Sequence, residues 1–144
     1  MLTGRCLCGG VQFTIGRPPR MMVHCHCSIC RRNTGASFAT SAVVSAADFS
    51  VRAGQDFIAN FESSRGYRRY FCSRCGSPLY GSSEQAPQIV NVRCGTLDAD
   101  PQIRPSAHIH VGDRAPWIDL SDDLETFEGP VGVDDFRRVY LSET

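Results

Sequence analysis

The chain has 144 residues, equal numbers of basic and acidic side chains (15 each), zero formal charge and 42% hydrophobic residues. That suits a single globular domain over residues 1–144 and gives no bulk field to collect nucleic acid or anionic lipid. Every basic residue is arginine, so a Walker A lysine, a Schiff-base lysine and a protein-kinase lysine are all excluded. The arginine pairs Arg31–Arg32, Arg68–Arg69 and Arg137–Arg138 are expected to be solvated surface pairs.

The opening MLTGRCLCGGVQF holds no apolar stretch of signal-peptide length, and no run approaches the ~20 apolar residues of a membrane span. Cytoplasmic localisation is the expectation, with reduced cysteines that bind metal in preference to forming disulfides. Residues 11–15 put Val11, Phe13 and Ile15 on one face at period two, which predicts a strand. A short helix is expected from Ser28 as N-cap to Gly35 at a left-handed C-terminal position. Residues 38–44 and 57–61 read as further strands, and residues 67–71 as an antiparallel return through the turn at residues 63–66. Residues 88–94 and 107–111 add two more. The tail from Pro130 carries Phe136, Val139, Tyr140 and Leu141, enough apolar surface to dock. The fold class is mostly β, with small antiparallel sheets held together by metal.

Seven of the eight cysteines fall into three groups: Cys6 and Cys8; Cys25, Cys27 and Cys30; Cys72 and Cys75. A disulfide framework disperses its cysteines, whereas chelation needs several sulfurs around one point. The Cys72-Ser73-Arg74-Cys75-Gly76 turn curls two thiolates toward one ion, with glycine supplying the tight backbone. Cys6 and Cys8 would share one strand face and complete a closed four-cysteine zinc site with Cys72 and Cys75. Its role is structural.

Cys25, Cys27 and Cys30 leave a fourth tetrahedral corner free, the arrangement of a catalytic zinc. The closed alternative takes His24, His26 or Cys94 as fourth ligand, although His26 is cramped between two ligands and Cys94 continues the buried Val90 and Val92 face. Three thiolates make zinc a poor generator of hydroxide and a good holder of an incoming thiol. An ordinary thiol is only a few per cent ionised at neutral pH, so full deprotonation raises the thiolate population ~30-fold, worth about 2 kcal/mol. Arg31 and Arg32 could offset charge or clamp carboxylates of a thiol substrate.

Taken together, three stretches resemble the glutathione-dependent formaldehyde-activating family, whose domain is shared with the centromere protein V family. They are GRCLCGGVQF at residues 4–13, CHCSICRR at residues 25–32 followed by GASF at residues 35–38, and FCSRCGSPL at residues 71–79. Gly95-Thr96-Leu97-Asp98, His108-Ile109 and Trp117 extend the resemblance over about residues 3–128, leaving residues 129–144 as a C-terminal tail. It implies a β-tent fold, a structural zinc on Cys6, Cys8, Cys72 and Cys75, and a second, catalytic zinc on Cys25, Cys27 and Cys30. The implied activity is a carbon–sulfur lyase reaction run as synthesis, joining glutathione to formaldehyde as S-hydroxymethylglutathione. His110 stands where the family commonly has an aromatic residue, and Arg114 where it has lysine.

His108 and His110 are expected on one strand face opposite Ile109 and Val111, placed to shuttle the proton of the thiol addition. Arg114 joins Arg31 and Arg32 as a substrate-binding candidate, and Trp117 is expected to serve core or subdomain packing in preference to a substrate platform. Two other functions compete with the enzyme: a glutathione carrier without catalysis, and a zinc-stabilised interaction module with two closed sites. The neutral charge weakens the module, and the missing GxSxG elbow and phosphate-binding glycine loop leave other enzyme classes without support.

Overall fold

A computed structural model describes residues 1–131; the tail residues Phe136, Val139, Tyr140 and Leu141 lie outside the described residues. The chain begins with β1 (Leu2–Arg5), β2 (Gln12–Ile15), β3 (Met21–Cys25), the helix α1 (Ser28–Thr34) and β4 (Ala39–Ser45). Then come β5 (Phe49–Ala53), β6 (Ile58–Ser64), β7 (Tyr67–Cys72), β8 (Pro78–Ser83), β9 (Ala86–Arg93), β10 (Ala107–Ile109) and β11 (Glu125–Thr126). The mostly-β class is as expected. One sheet is three-stranded and antiparallel, β1-β2-β5, and the other has eight strands in the order β11-β10-β3-β4-β9-β8-β7-β6. Antiparallel pairing dominates, but β10 lies parallel to both β3 and β11.

The main core fills the space between the two sheets. Phe13 and Ile15 from β2 pack with Cys72, Leu79, Val44, Val90 and Val92, all of them buried. Each large apolar side chain removed from water there contributes roughly 1.5–3 kcal/mol. Val90 and Val92 face this layer, so the strand's alternation turns Asn91 and Arg93 to the opposite face. On β7, Tyr70 stacks on Tyr80 at 4.5 Å and Tyr80 lies 4.8 Å from Phe49 of the three-stranded sheet. Tyr67 and Arg69 therefore turn the other way, toward the cavity described below.

The predicted hairpin between β6 and β7 forms, with Arg69 opposite Phe61 and Cys72 opposite Ile58. The helix also forms, with Gly35 at φ 68° as its left-handed cap. Its N-cap is Cys27, not Ser28: the Cys27 side chain accepts a hydrogen bond from the Cys30 backbone N–H. The pair Cys6 and Cys8 does not lie on a strand. β1 ends at Arg5, and Cys6 enters a turn closed by Gly9 N–H donating to the Cys6 carbonyl at 3.0 Å.

Candidate active site

The two sulfur clusters expected from the spacing do assemble. The Sγ atoms of Cys6, Cys8, Cys72 and Cys75 all lie within 4.8 Å of one another, and so do those of Cys25, Cys27 and Cys30. The first cluster joins the turn after β1 to the turn after β7, so it bridges the two sheets. Gly76 takes φ 78°, the left-handed backbone that closes the second turn, while its N–H donates to the Cys72 carbonyl at 2.7 Å.

Metal fit follows from the sulfur spacing. A tetrahedral divalent ion with metal–sulfur bonds of about 2.3 Å separates its sulfurs by about 3.8 Å. Cys6 and Cys8 are 3.5 Å apart, and Cys8 and Cys72 are 3.9 Å apart. The four-cysteine set therefore fits such an ion with every corner filled by protein. The Cys75 thiol is held down at about 5, first by its bond to Ser77, so part of the set is already inclined to be thiolate.

The second cluster comes from β3 and α1. Cys25 ends the strand, Cys27 caps the helix, and Cys30 is the one buried residue of the helix. Thiol hydrogen bonds from Cys25 and Cys27 hold Cys30 far down, at about 2, against its burial, and the Arg69 and Arg93 charges add to the effect. Cys25 is pushed strongly upward by the same bonds and by burial. A thiolate at Cys30 beside a protonated Cys25, with two guanidinium charges nearby, is the arrangement this cluster prefers.

These sulfurs line a cavity of about 340 Å³, with Val23, Ile29, Ile109, Tyr67, Arg69, Arg93 and His110 among its walls. Arg69 and Arg93 are the positive charges of this cavity, and both are 7% exposed. Arg69 donates from Nε to Ser63 Oγ at 2.8 Å and from Nη2 to Cys30 Sγ at 3.5 Å, and its guanidinium stacks 5.2 Å from the Tyr67 ring centroid. Arg93 donates to Ser41 Oγ. The solvated-pair expectation for Arg68–Arg69 is therefore corrected in half: Arg68 pairs with Glu62 at 3.6 Å, while Arg69 is buried.

None of Arg31, Arg32 and Arg114 lines the cavity. In an α-helix each residue turns about 100° from the last, so with Cys30 inward Arg31 and Arg32 point elsewhere. Arg32 is exposed, and Arg114 is exposed and donates to the Val111 carbonyl. Arg31 keeps a buried Nε without a partner, and its charge, like that of Arg114, acts on His26.

The histidines divide. β10 ends at Ile109 and His110 takes φ 55°, so the strand alternation breaks and His108 and His110 do not share a face. His110 reaches the cavity wall. His108 is buried behind it, bonded through Nδ1 to His26 Nε2 at 2.7 Å and through Nε2 to Asp122 at 2.9 Å. His26 thereby spends its Nε2 on His108 and not on a metal, and burial depresses it to about 4, helped by His108. His24 bonds Thr40 at 2.8 Å. Cys94 is half-buried, belongs to neither sulfur set, and is pushed up to about 11 by burial. No fourth protein ligand accompanies Cys25, Cys27 and Cys30 among the described residues. Trp117, expected to serve core or subdomain packing, is 70% exposed and so not in the core, with its Nε1 donating to Ser37 Oγ at 2.9 Å.

The family described as glutathione-dependent formaldehyde-activating enzyme matches residues 1–113. A Halomonas elongata protein whose name marks it as a candidate for that activity is 29% identical over 128 residues, covering 83% of this chain and 81% of its own length. A similarly named Aspergillus flavus protein is 25% identical, covering 95% of this chain and 70% of its own length. A crystal structure of a Rhodobacter sphaeroides protein shares the fold at a TM-score of 0.59 and 22% identity, covering 87% of this chain and 98% of that one. No helix among the described residues is long and apolar enough to cross a membrane.

Proposed function

The chain belongs to the glutathione-dependent formaldehyde-activating enzyme family, and on that premise we propose that it joins a small thiol such as glutathione to formaldehyde or a related aldehyde. The reaction forms one carbon–sulfur bond, opens the carbonyl π bond and moves one proton from sulfur to oxygen. Zinc is the ion proposed for both sulfur sets, structural at Cys6, Cys8, Cys72 and Cys75. The observation that carries the proposal is the contrast between the sets: four sulfurs close one, and three sulfurs face a cavity in the other.

Zinc held by Cys25, Cys27 and Cys30 would supply a borderline-soft corner at which a thiol loses its proton at neutral pH. The chain's own residues do the rest. Cys27 caps α1 and so fixes the orientation of Cys30. Arg69 and Arg93 offset the negative charge collected by the thiolates. Val23, Ile29 and Ile109 keep one side of the cavity apolar, which strengthens those charge interactions by excluding water. His110, on the wall and outside the His26–His108 pair, takes up the released proton and returns it to the product oxygen. His108 positions His26 and does not itself meet substrate.

The test uses Co²⁺ in the three-cysteine set, whose visible spectrum reports its ligands. Glutathione should move the spectrum toward four-sulfur coordination with release of about one proton per thiol. S-Methylglutathione, which has no ionisable thiol, should not. If no thiol shifts the spectrum, the site is closed and the enzyme proposal falls.

A further inference from the structure

His26 sits in sequence between two members of the three-cysteine set, and its side chain leaves on the other side. Cys25 ends β3 and Cys27 keeps an extended backbone, so both enter the cavity while His26 turns away from it and is fully buried. Two bonds hold His26, and both end on β10. Its backbone N–H donates to the Ile109 carbonyl at 3.0 Å, and its Nε2 meets His108 Nδ1 at 2.7 Å. His26 Nδ1 is buried without a partner, so the bond to His108 is the side-chain hydrogen bond on which the ring depends. His108 is held in turn by the Asp122 carboxylate at 2.9 Å, and Asp122 Oδ1 also accepts the Leu124 N–H at 3.3 Å. An ionised carboxylate only accepts, so the partners assign the tautomers: His108 donates from Nε2 to Asp122 and accepts at Nδ1 from His26 Nε2. Both bonds then run the same way and end on a charge, which strengthens each link.

We infer that Asp122 is a positioning residue for the three-cysteine set: through His108 and His26 it fixes the Cys25–Cys27 segment and so governs how firmly that set holds its ion. A set with three protein ligands loses a larger share of its hold than a four-ligand set when one segment drifts. The four-cysteine set has no residue in this chain of bonds, so the effect is confined to one of the two ions. The inference rests on the metal assignment made above and goes beyond it, because it places control of the ion in a carboxylate on the side opposite the cavity.

Competition between the full-length protein and a chelator for Co²⁺ tests it without requiring turnover. The visible bands of the three-cysteine set are those lost in Cys27→Ser. In Asp122→Ala, Co²⁺ should bind that set about tenfold more weakly, the low end for an outer hydrogen-bond partner of a metal site, and its bands should shift. The four-cysteine set is the internal control and should keep both affinity and spectrum; a carboxylate that only stabilised the fold would weaken both sets together. Asp122→Asn, which keeps an acceptor and loses the charge, should fall between wild type and Asp122→Ala. His108→Phe, a ring without nitrogens, should weaken the set at least as much as Asp122→Ala. Unchanged Co²⁺ binding in Asp122→Ala, or an equal loss at both sets, overturns the inference and leaves the metal assignment standing. If the wild type takes up no Co²⁺ at the three-cysteine set, the metal assignment fails and the inference falls with it. Should His108→Phe not fold, the Asp122 variants still decide, since that side chain is 48% exposed.

Discussion

Replacing Cys72 by serine removes one corner of the sulfur set that ties the two sheets together. Cys8 and Cys72 are 64 residues apart in sequence. By the loop-entropy relation for cross-links, closing such a loop is worth roughly 4 kcal/mol. Domain stabilities of ~5–15 kcal/mol make that a large share of the whole. At an m-value of about 2 kcal/mol/M the urea midpoint should fall by about 2 M. Cys72 is fully buried, so serine also carries a packing and desolvation cost that has nothing to do with metal. Repeating the melts of both proteins in excess chelator separates the two effects, because the cross-link is then absent from each. Cys27→Ser is the contrasting variant. Serine is a strong N-cap, so α1 keeps its first turn while the second set loses a sulfur, and the midpoint should stay near wild type while thiol binding disappears. If Cys72→Ser and wild type have the same midpoint with metal present, the cross-link argument is refuted.

An added Cβ at Gly81 would overlap the Tyr67 hydroxyl and lie 2.7 Å from its ring carbons; Gly81→Ala should therefore cost about 1–3 kcal/mol in a thermal melt. It should also weaken thiol binding, because Tyr67 supports Arg69; full stability with unchanged affinity would contradict this chain of contacts. Burial, then the stacked Tyr70, pushes the Tyr80 phenol up to about 12. A raised folded-state pKa means stability present below the unfolded value near ~10 and lost as pH rises through about 12. Spectrophotometric titration should show one late-ionising tyrosine in the wild type that is missing in Tyr80→Phe.

The halves of the sulfur sites were legible from local spacing: the knuckle at residues 72–76 and the helix-capped trio at residues 25–30 take shape locally, while the joining of Cys6 and Cys8 to Cys72 and Cys75 depends on the two sheets meeting. The β6–β7 hairpin was legible from its turn. β3 was not, because Met21, Met22 and Val23 are all buried and show no alternation. β8 begins with proline and contains Gly81, residues that read as turn until the sheet around them is known. The burial of Arg69 and Arg93 was invisible for a similar reason. A charged residue on a strand reads as solvent-facing, and only the assembled eight-stranded sheet with α1 beside it encloses the space these two enter. His110 misled because a non-glycine residue at positive φ has no local signature, and one such residue reverses every face assignment after it.

The opposite orientations of Val92 and Arg93 on β9 make strand register a functional quantity as well as a structural one. A slip of one residue against β4 or β8 exchanges the two faces of a strand. Arg93 and Asn91 would enter the hydrocarbon layer between the sheets, and Val90 and Val92 would line the chamber beside Cys30. The misaligned chain would lose core packing and cavity charge in the same event. Mistakes in pairing would therefore not accumulate as folded molecules with an altered cavity: the arginine that charges the cavity also penalises the wrong alignment during folding.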